Sequence, residues 1–475
     1  MTDLIRPDIC VIGAGSGGLS VAAAAAAFGV ETVLVERGKM GGDCLNYGCV
    51  PSKALIAAAK RAHAMRASAP FGISPVEPAI DFAAVHAHVH EVIAAIAPND
   101  SVERFTGLGV RVIEAEARFV DRDTLAAGGF TIKARRFVIA TGSSPVLPPI
   151  DGIGEVDALT NETIFDLKEL PAHLIIIGGG PIGLELAQAH RKLGSEVTVI
   201  EGQTTLARED PELAALALER LRGEGIEMLE RHHVVRIARS DQAGVRVDIS
   251  GPDGARTIDG THLLVATGRT PNIAALNLDA AGVANDKKGV TVDDRLRSAN
   301  RRIYAIGDAA GGPQFTHVAN YHAGLVIRAL LFRLPARIDY RSLPRATFLD
   351  PELAQIGLTE TEAREKHGEV RVLRWPVADN DRAQAERETD GLIKLVANRK
   401  GRIVGVSILA KNASEMANFW SLALEKKMTV RDITSFISPY PTVGEIGKRA
   451  AVSYFANMAR KPLIRRIVRL LQGFG

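Results

Sequence analysis

A chain of 475 residues is too long for one ordinary core, and its length points to roughly two to four domains. With 46% hydrophobic and 24% charged residues it has the composition of a soluble globular protein, and a net charge of only +3 gives no global affinity for nucleic acid. No apolar run reaches the roughly 18–20 residues of a membrane span. No signal peptide is expected, and three cysteines make no secreted disulfide framework, so a reducing cytoplasm is the expected location.

In chain order, the first feature is a buried parallel strand, Ile9–Ile12, that runs into a glycine loop and then an alanine-rich helix. In the loop, Gly13 permits the tight turn, Gly15 lets a pyrophosphate approach the backbone, and Gly18 lets the helix pack against the strand. The helix N-terminus offers unpaired N–H groups to an anion. Glu36, ending the next strand, is placed to bind a ribose. Next come Cys44 and Cys49, with four residues between them. On one turn of a distorted helix this spacing brings two Cα atoms within disulfide range. It is not a Cys-x-x-Cys knuckle, and no second pair completes a tetrahedral metal site. Cys10, inside the first strand, reads as a small buried residue. His86, His88 and His90 alternate; on a helix His86 and His90 share a face, with only Glu91 nearby, which reads as helix surface and not as a metal site.

An Ala-Thr-Gly triplet ends a strand at Ala140, Thr141 and Gly142 and recurs at Ala266, Thr267 and Gly268. Between them lies a second glycine loop containing Gly178, Gly180 and Gly183, whose following strand ends at Glu201. The chain therefore carries an internal duplication at domain scale and two dinucleotide sites. The economical reading is a flavin dinucleotide held permanently and a nicotinamide that comes and goes. A carboxylate at Glu201 accepts from the ribose hydroxyls of NAD and repels the 2′-phosphate of NADP, which favours NADH. Boundaries are expected near 145–151, 271 and 343–344. Beyond them, strands in 345–357 and 392–409 and helices at 359–367 and 413–427 indicate an α+β domain without a nucleotide motif. After Glu445 there is no acidic residue and there are seven Lys or Arg. Over residues 461–471 a helical wheel separates Leu463, Ile464, Ile467, Val468, Leu470 and Leu471 from Lys461, Arg465, Arg466 and Arg469. Such a helix suits an anionic membrane surface. A terminal helix packed on its own dimer, its basic face in water, gives the same pattern. On the membrane reading the protein is peripheral at the inner membrane face, and a quinone becomes a plausible acceptor.

The segment from Gly41 to Lys53, Gly-Gly-Asp-Cys-Leu-Asn-Tyr-Gly-Cys-Val-Pro-Ser-Lys, resembles the redox motif of the class I pyridine nucleotide–disulfide oxidoreductases, a family that includes dihydrolipoamide dehydrogenase, glutathione reductase and mercuric reductase. The run Ala305-Ile306-Gly307-Asp308-Ala309 resembles the family's second flavin motif, and the two Ala-Thr-Gly triplets also match, so the resemblance covers nearly the whole chain. It implies a homodimer of α/β subunits with two Rossmann-like dinucleotide-binding domains and a C-terminal α+β dimerisation domain. FAD would occupy residues 1–150 and 272–344, the nicotinamide residues 151–271, and the interface residues 345–475. It further implies that Cys49 faces the flavin and Cys44 is the outer sulfur. Lys53 lies near flavin N5 and pairs with Glu185. Gly42, Thr141, Gly142, Gly268, Gly307, Asp308 and the His317 backbone serve cofactor binding. Electrons pass from NADH through FAD and a Cys44–Cys49 disulfide to an acceptor, with no resident metal.

One position departs from that pattern. Disulfide-reducing members carry a histidine base in a C-terminal His-Pro-Thr-x-x-Glu motif supplied by the partner subunit. Here Tyr440 stands in its place, while Glu445, the histidine's usual partner, is retained. A phenol near pKa 10 is a poor base at neutral pH but can donate a hydrogen bond. Mercuric reductase also uses tyrosine in this region, yet the paired C-terminal cysteines that hand over its metal are lacking. The acceptor is thus expected to be a metal ion, a small disulfide or a quinone. The alternatives are a dihydrolipoamide dehydrogenase with an unusual acid–base group, or a membrane-associated redox sensor or electron-transfer partner.

Overall fold

A computed structural model describes residues 3–241, 244–459 and 462–474. Two parallel sheets are built on the same plan. In the first, the strand Arg136–Ile139 lies beside Ile9–Ile12, followed by Thr32–Glu36 and Arg111–Glu114. In the second, His262–Val265 lies beside His173–Ile177, followed by Glu196–Glu201 and Glu227–Glu230. In each, the strand closed by Ala-Thr-Gly neighbours the strand that opens the glycine loop. The duplication read in the sequence is therefore one of topology. The first sheet gains an outer strand, Ile303–Ala305, from far along the chain. Ile9–Ile12 is buried throughout, as a strand covered on both faces requires.

The exits of the two Ala-Thr-Gly strands are joined by a short antiparallel ribbon, Ser143–Pro145 against Arg269–Pro271. The C-terminal part is a five-stranded antiparallel sheet in the order Pro344–Thr347, Glu352–Gly357, Ile403–Ala410, Leu392–Asn398 and Val370–Pro376. The two regions expected to hold strands each resolve into a pair. The edge strand Val370–Pro376 was not anticipated, because its burial does not alternate regularly. The expected helices appear at Glu360–His367, opened by a Thr359 capping box, and at Ala413–Glu425. Among the described residues no helix is long and apolar enough to cross a membrane.

One buried ionic cluster ties the C-terminal sheet to the second glycine-loop unit. Lys394, its side chain 3% exposed, reaches Asp210 at 2.9 Å, Glu212 at 3.0 Å and Glu360 at 2.8 Å. Asp210 is fully buried and also caps the helix Pro211–Gly223 by accepting from the Glu212 N–H. Arg374 closes the cluster on Glu212 and Glu360.

Candidate functional site

The two glycine loops show why glycine is required at two of three positions and what the third is for. Gly13 has φ +106°, and a Cβ there would lie 2.4 Å from the Ala140 carbonyl oxygen; one on Gly18 would lie 1.9 Å from the Gly13 oxygen. Gly178, at φ +115°, meets the Ala266 oxygen at 2.5 Å, and Gly183 meets the Gly178 oxygen at 2.1 Å. The first and third glycines of each loop are thus demanded by the protein's own backbone: the Ala-Thr-Gly alanine presses on the first, and the first glycine's carbonyl presses on the third. Nothing lies within 4 Å of a Cβ on Gly15 or Gly180, the positions a pyrophosphate approaches. The two acids are held alike. Glu36 accepts from Ala14 N at 2.5 Å and Gly38 N at 2.7 Å; Glu201 accepts from Gly179 N and Gln203 N, both at 2.8 Å.

A cavity of about 1420 Å³ opens from the first loop. Gly13, Gly15 and Glu36 line one end, with Thr141 and Gly142 beside them. The Thr141 hydroxyl oxygen is buried without a hydrogen-bond partner, so it points to a ligand atom. Gly307, Asp308 and His317 form a second wall. Burial pushes the Asp308 carboxyl up, against a 2.5 Å hydrogen bond from the Ser143 hydroxyl. The His317 ring bonds the Pro344 carbonyl at 2.9 Å, and both residues line the cavity. Gly18 lies beneath the loop and does not line the cavity, and neither do Gly178, Gly180, Gly183, Glu201 or Gly268, which belong to the second unit.

Cys44, Cys49 and Lys53 line the same cavity. The cysteines do not share one helical turn, as their spacing suggested. Cys44 sits in the short helix Gly42–Asn46 and Cys49 is the first residue of Cys49–Arg66, with Tyr47 and Gly48 between. Gly48 is pressed into the Asp43 side chain and the Cys44 backbone, which folds the two segments against each other. The first segment is seated on the phosphate loop, because Gly41 N donates to the Ala14 carbonyl and a Cβ on Gly42 would meet the Gly15 Cα at 2.7 Å.

Both cysteines are thiols and are hydrogen-bonded to each other. That bond, with the Thr316 hydroxyl at 3.6 Å and the positive charge of Lys53, lowers Cys49 to about 6 against the opposing effect of burial. A helix N-terminus favours the same thiolate. Cys44 is pushed up by its bond to Cys49 and by burial. Of the pair, Cys49 is the sulfur favoured as thiolate and Cys44 the one that keeps its proton.

Lys53 and Glu185 meet at 2.6 Å, bridging the cysteine helix to the helix Pro181–Leu193 that follows the second glycine loop. Phe348 fixes the pair, its ring 4.2 Å under the ammonium and its N–H donating to Glu185 at 2.9 Å. The sequence did not disclose a second cluster. Arg269 holds Asp43 at 2.9 Å, the Ser143 hydroxyl at 2.8 Å and Asn161 at 3.2 Å, and Asn161 returns bonds to Asp43 and the Tyr47 carbonyl. Arg269 directly follows the second Ala-Thr-Gly, and Thr316 directly precedes His317, so position was the only signal available.

Tyr440 and Glu445 do not line the cavity. Tyr440 is 68% exposed and donates to Asp381 at 3.0 Å, so its partner in the chain is that aspartate and not Glu445, which begins the helix Glu445–Ala459. The bond to Asp381 raises the phenol pKa, making it a still poorer base. His86 and His90 stack on the helix Phe82–Ile96 with ring centroids 4.0 Å apart, and His90 faces Asp166 at 3.7 Å. Among the described residues no group of three or more His, Cys, Asp or Glu side chains could hold a metal ion.

Residues 7–323 match the family described as pyridine nucleotide-disulphide oxidoreductase, and residues 343–451 match its dimerisation domain. The chain belongs to this family, whose members depend on FAD and a pyridine nucleotide. It is 37% identical over 461 residues to a mercuric reductase of Streptomyces lividans, covering 95% of this chain and 97% of that protein. It is 36% identical over 458 residues to a dihydrolipoyl dehydrogenase of Geobacillus stearothermophilus, covering 94% and 96%. Among solved structures it superposes on the HOCl-induced flavoprotein disulfide reductase RclA of Escherichia coli with a TM-score of 0.84 and 29% identity, over 94% of this chain and 99% of that one.

Proposed function

We propose that this chain is an NADH-dependent flavoprotein reductase that delivers electrons to a small acceptor through Cys44 and Cys49. The observation that carries the reading is the thiol pair on the cavity wall, at the end of a lysine–glutamate bridge from the second glycine-loop unit. Gly15, Glu36, Gly42, Gly142 and Asp308 would hold FAD; Gly180 and Glu201 would hold NADH. When bound, the flavin supplies the exchange between a hydride from the nicotinamide and an electron pair for the disulfide. Cys44, on losing its proton, attacks one sulfur of a small disulfide and expels the first thiol. The Cys49 thiolate then closes on Cys44 and expels the second, so one disulfide forms as another breaks and two electrons leave. A metal ion or a quinone could receive the same two electrons. In a homodimer Tyr440 of one subunit would reach the other's Cys44 as a hydrogen-bond donor, its O–H turning from Asp381 to the sulfur. A phenol in that role suits reduction of an acceptor better than oxidation of a dithiol, which needs a base.

Anaerobic titration with NADH should raise a long-wavelength thiolate–flavin band that is absent in Cys49→Ser. A native protein without the band refutes the role of the pair. NADH should exceed NADPH by at least about tenfold in kcat/KM, as expected when a carboxylate faces the 2′-phosphate. The glycine geometry separates cofactor binding from folding. Gly15 has φ −79°, which alanine adopts, and no protein atom stands in the way. Gly15→Ala should therefore retain the native circular dichroism and melting profile but purify with much less flavin, whereas Gly18→Ala should lose the fold. Full flavin content in Gly15→Ala would count against this loop as the pyrophosphate site.

A further inference from the structure

The helix Pro462–Leu471 has no buried residue, although six of its ten residues are Leu, Ile or Val. Leu463 is 67% exposed, Leu470 65% and Leu471 62%; Phe474, just beyond, is 82% exposed. At about 100° per residue, Leu463, Ile464, Ile467, Leu470 and Leu471 fall within an arc of about 120°, and Arg465, Arg466 and Arg469 within an opposite arc of about 100°. Seven Lys or Arg and no acid follow Glu445 in a chain of net charge +3, so everything before that tail is net negative, at −4. Positive charge is concentrated in the segment that also carries the uncovered apolar face. The family's dimerisation domain ends at residue 451, before this helix begins.

We infer that this helix docks the protein on an anionic lipid surface. A lipid interface covers both faces at once: the apolar arc sinks into the boundary between headgroups and acyl chains, and the arginines stay at headgroup level beside the phosphates. A nucleic acid would meet the arginines and leave the leucines wet. A second copy of the chain would cover the leucines and do nothing for the arginines. The attraction is electrostatic as well as apolar, so it weakens with salt. The cleft that holds the cysteines is thereby kept at a membrane surface, where lipid-soluble electron acceptors are concentrated.

The test is flotation of the full-length, flavin-loaded protein with phosphatidylcholine vesicles, with and without phosphatidylglycerol. The expected result is co-flotation only with the anionic vesicles, lost at high salt. Arg466→Gln/Arg469→Gln should weaken partition roughly thirtyfold, at about fivefold per arginine near the surface. Leu463→Ser/Leu470→Ser should abolish it and leave the dimer's sedimentation unchanged. The inference is overturned if the native protein stays with the unbound fraction, or if the arginine variant floats as well as the native protein. It is also overturned if the leucine variant dissociates the dimer, which would assign the helix to the subunit interface. None of these readouts depends on which acceptor the cysteines reduce.

Discussion

Cys44→Ala is expected to lower acceptor turnover by at least about 10³-fold, the order found when a nucleophile is removed, while NADH still bleaches the flavin at close to the native rate. On the proposed route the two effects part, because Cys44 would lie on the exit side of the pair and hydride would enter from the second glycine-loop unit. The same variant should change the titration of the remaining thiol. Cys49 lies at about 6 chiefly because Cys44 donates to it, with Thr316 and Lys53 adding to that effect. Without the Cys44 donor its midpoint should move up toward the ordinary value of 9.0. In reduced native protein the Cys49 thiolate is present above about 6 and is lost as pH falls through that value. In Cys44→Ala the thiolate should appear only at distinctly higher pH. Following the thiolate absorbance of both proteins from acid to alkaline pH checks this. Coincident curves would show that the pair does not share its proton as described.

Lys394→Met is expected to cost roughly 3–5 kcal/mol, the penalty for leaving buried partners of an ion cluster uncompensated. Asp210, fully buried, would lose its countercharge, and Glu360 one of its cations, with Arg364 and Arg374 remaining. Glu212 contributes less, since its side chain is 36% exposed and water screens it. Burial would raise Glu360, yet hydrogen bonds from Lys394 and Arg364 and their charges bring it to about 2, below its ordinary 4.5. A depressed carboxyl stabilises the fold fully above its unfolded pKa and loses that contribution as pH falls through the folded one. The native protein should therefore weaken between about pH 4.5 and 2, and Lys394→Met should show a smaller further loss over that window. Because the cluster joins two folding units, melting of the variant should also broaden or split. Thermal melts across that pH range test all three statements. A variant that melts with the native protein would show that the cluster contributes no net stability.

The nucleotide architecture was legible because its residues are dictated locally. A glycine pressed at 2.4 Å against a carbonyl oxygen admits no other side chain, so Gly13, Gly18, Gly178 and Gly183 mark their loops in the sequence. The acids ending the next strands are one βαβ unit away, within reach of a spacing argument. What escaped depends on contacts between distant segments. Lys394 looks like one polar position in an apolar strand, and nothing local tells that three acids from two other elements surround it. Asn161 and Arg269 lie far along the chain from Asp43. The break between the cysteines was misjudged for a similar reason. Spacing fits a single turn, but the crowding of Gly48 against Asp43 divides it in two. Tyr440 stands out in the sequence by its motif, whereas its partner, Asp381, lies on another segment and has no sequence signal.

The short ribbon between the two Ala-Thr-Gly exits has a mechanical meaning. Arg269 rides on the strand leaving the second unit, yet its guanidinium is fastened to Asp43, the residue before Cys44, and to Ser143, which in turn grips Asp308. Any displacement of the second glycine-loop unit relative to the first would be carried to the segment bearing Cys44 and to Asp308 through this side chain. The segment that carries Cys44 is thus geared to the second glycine-loop unit through one guanidinium.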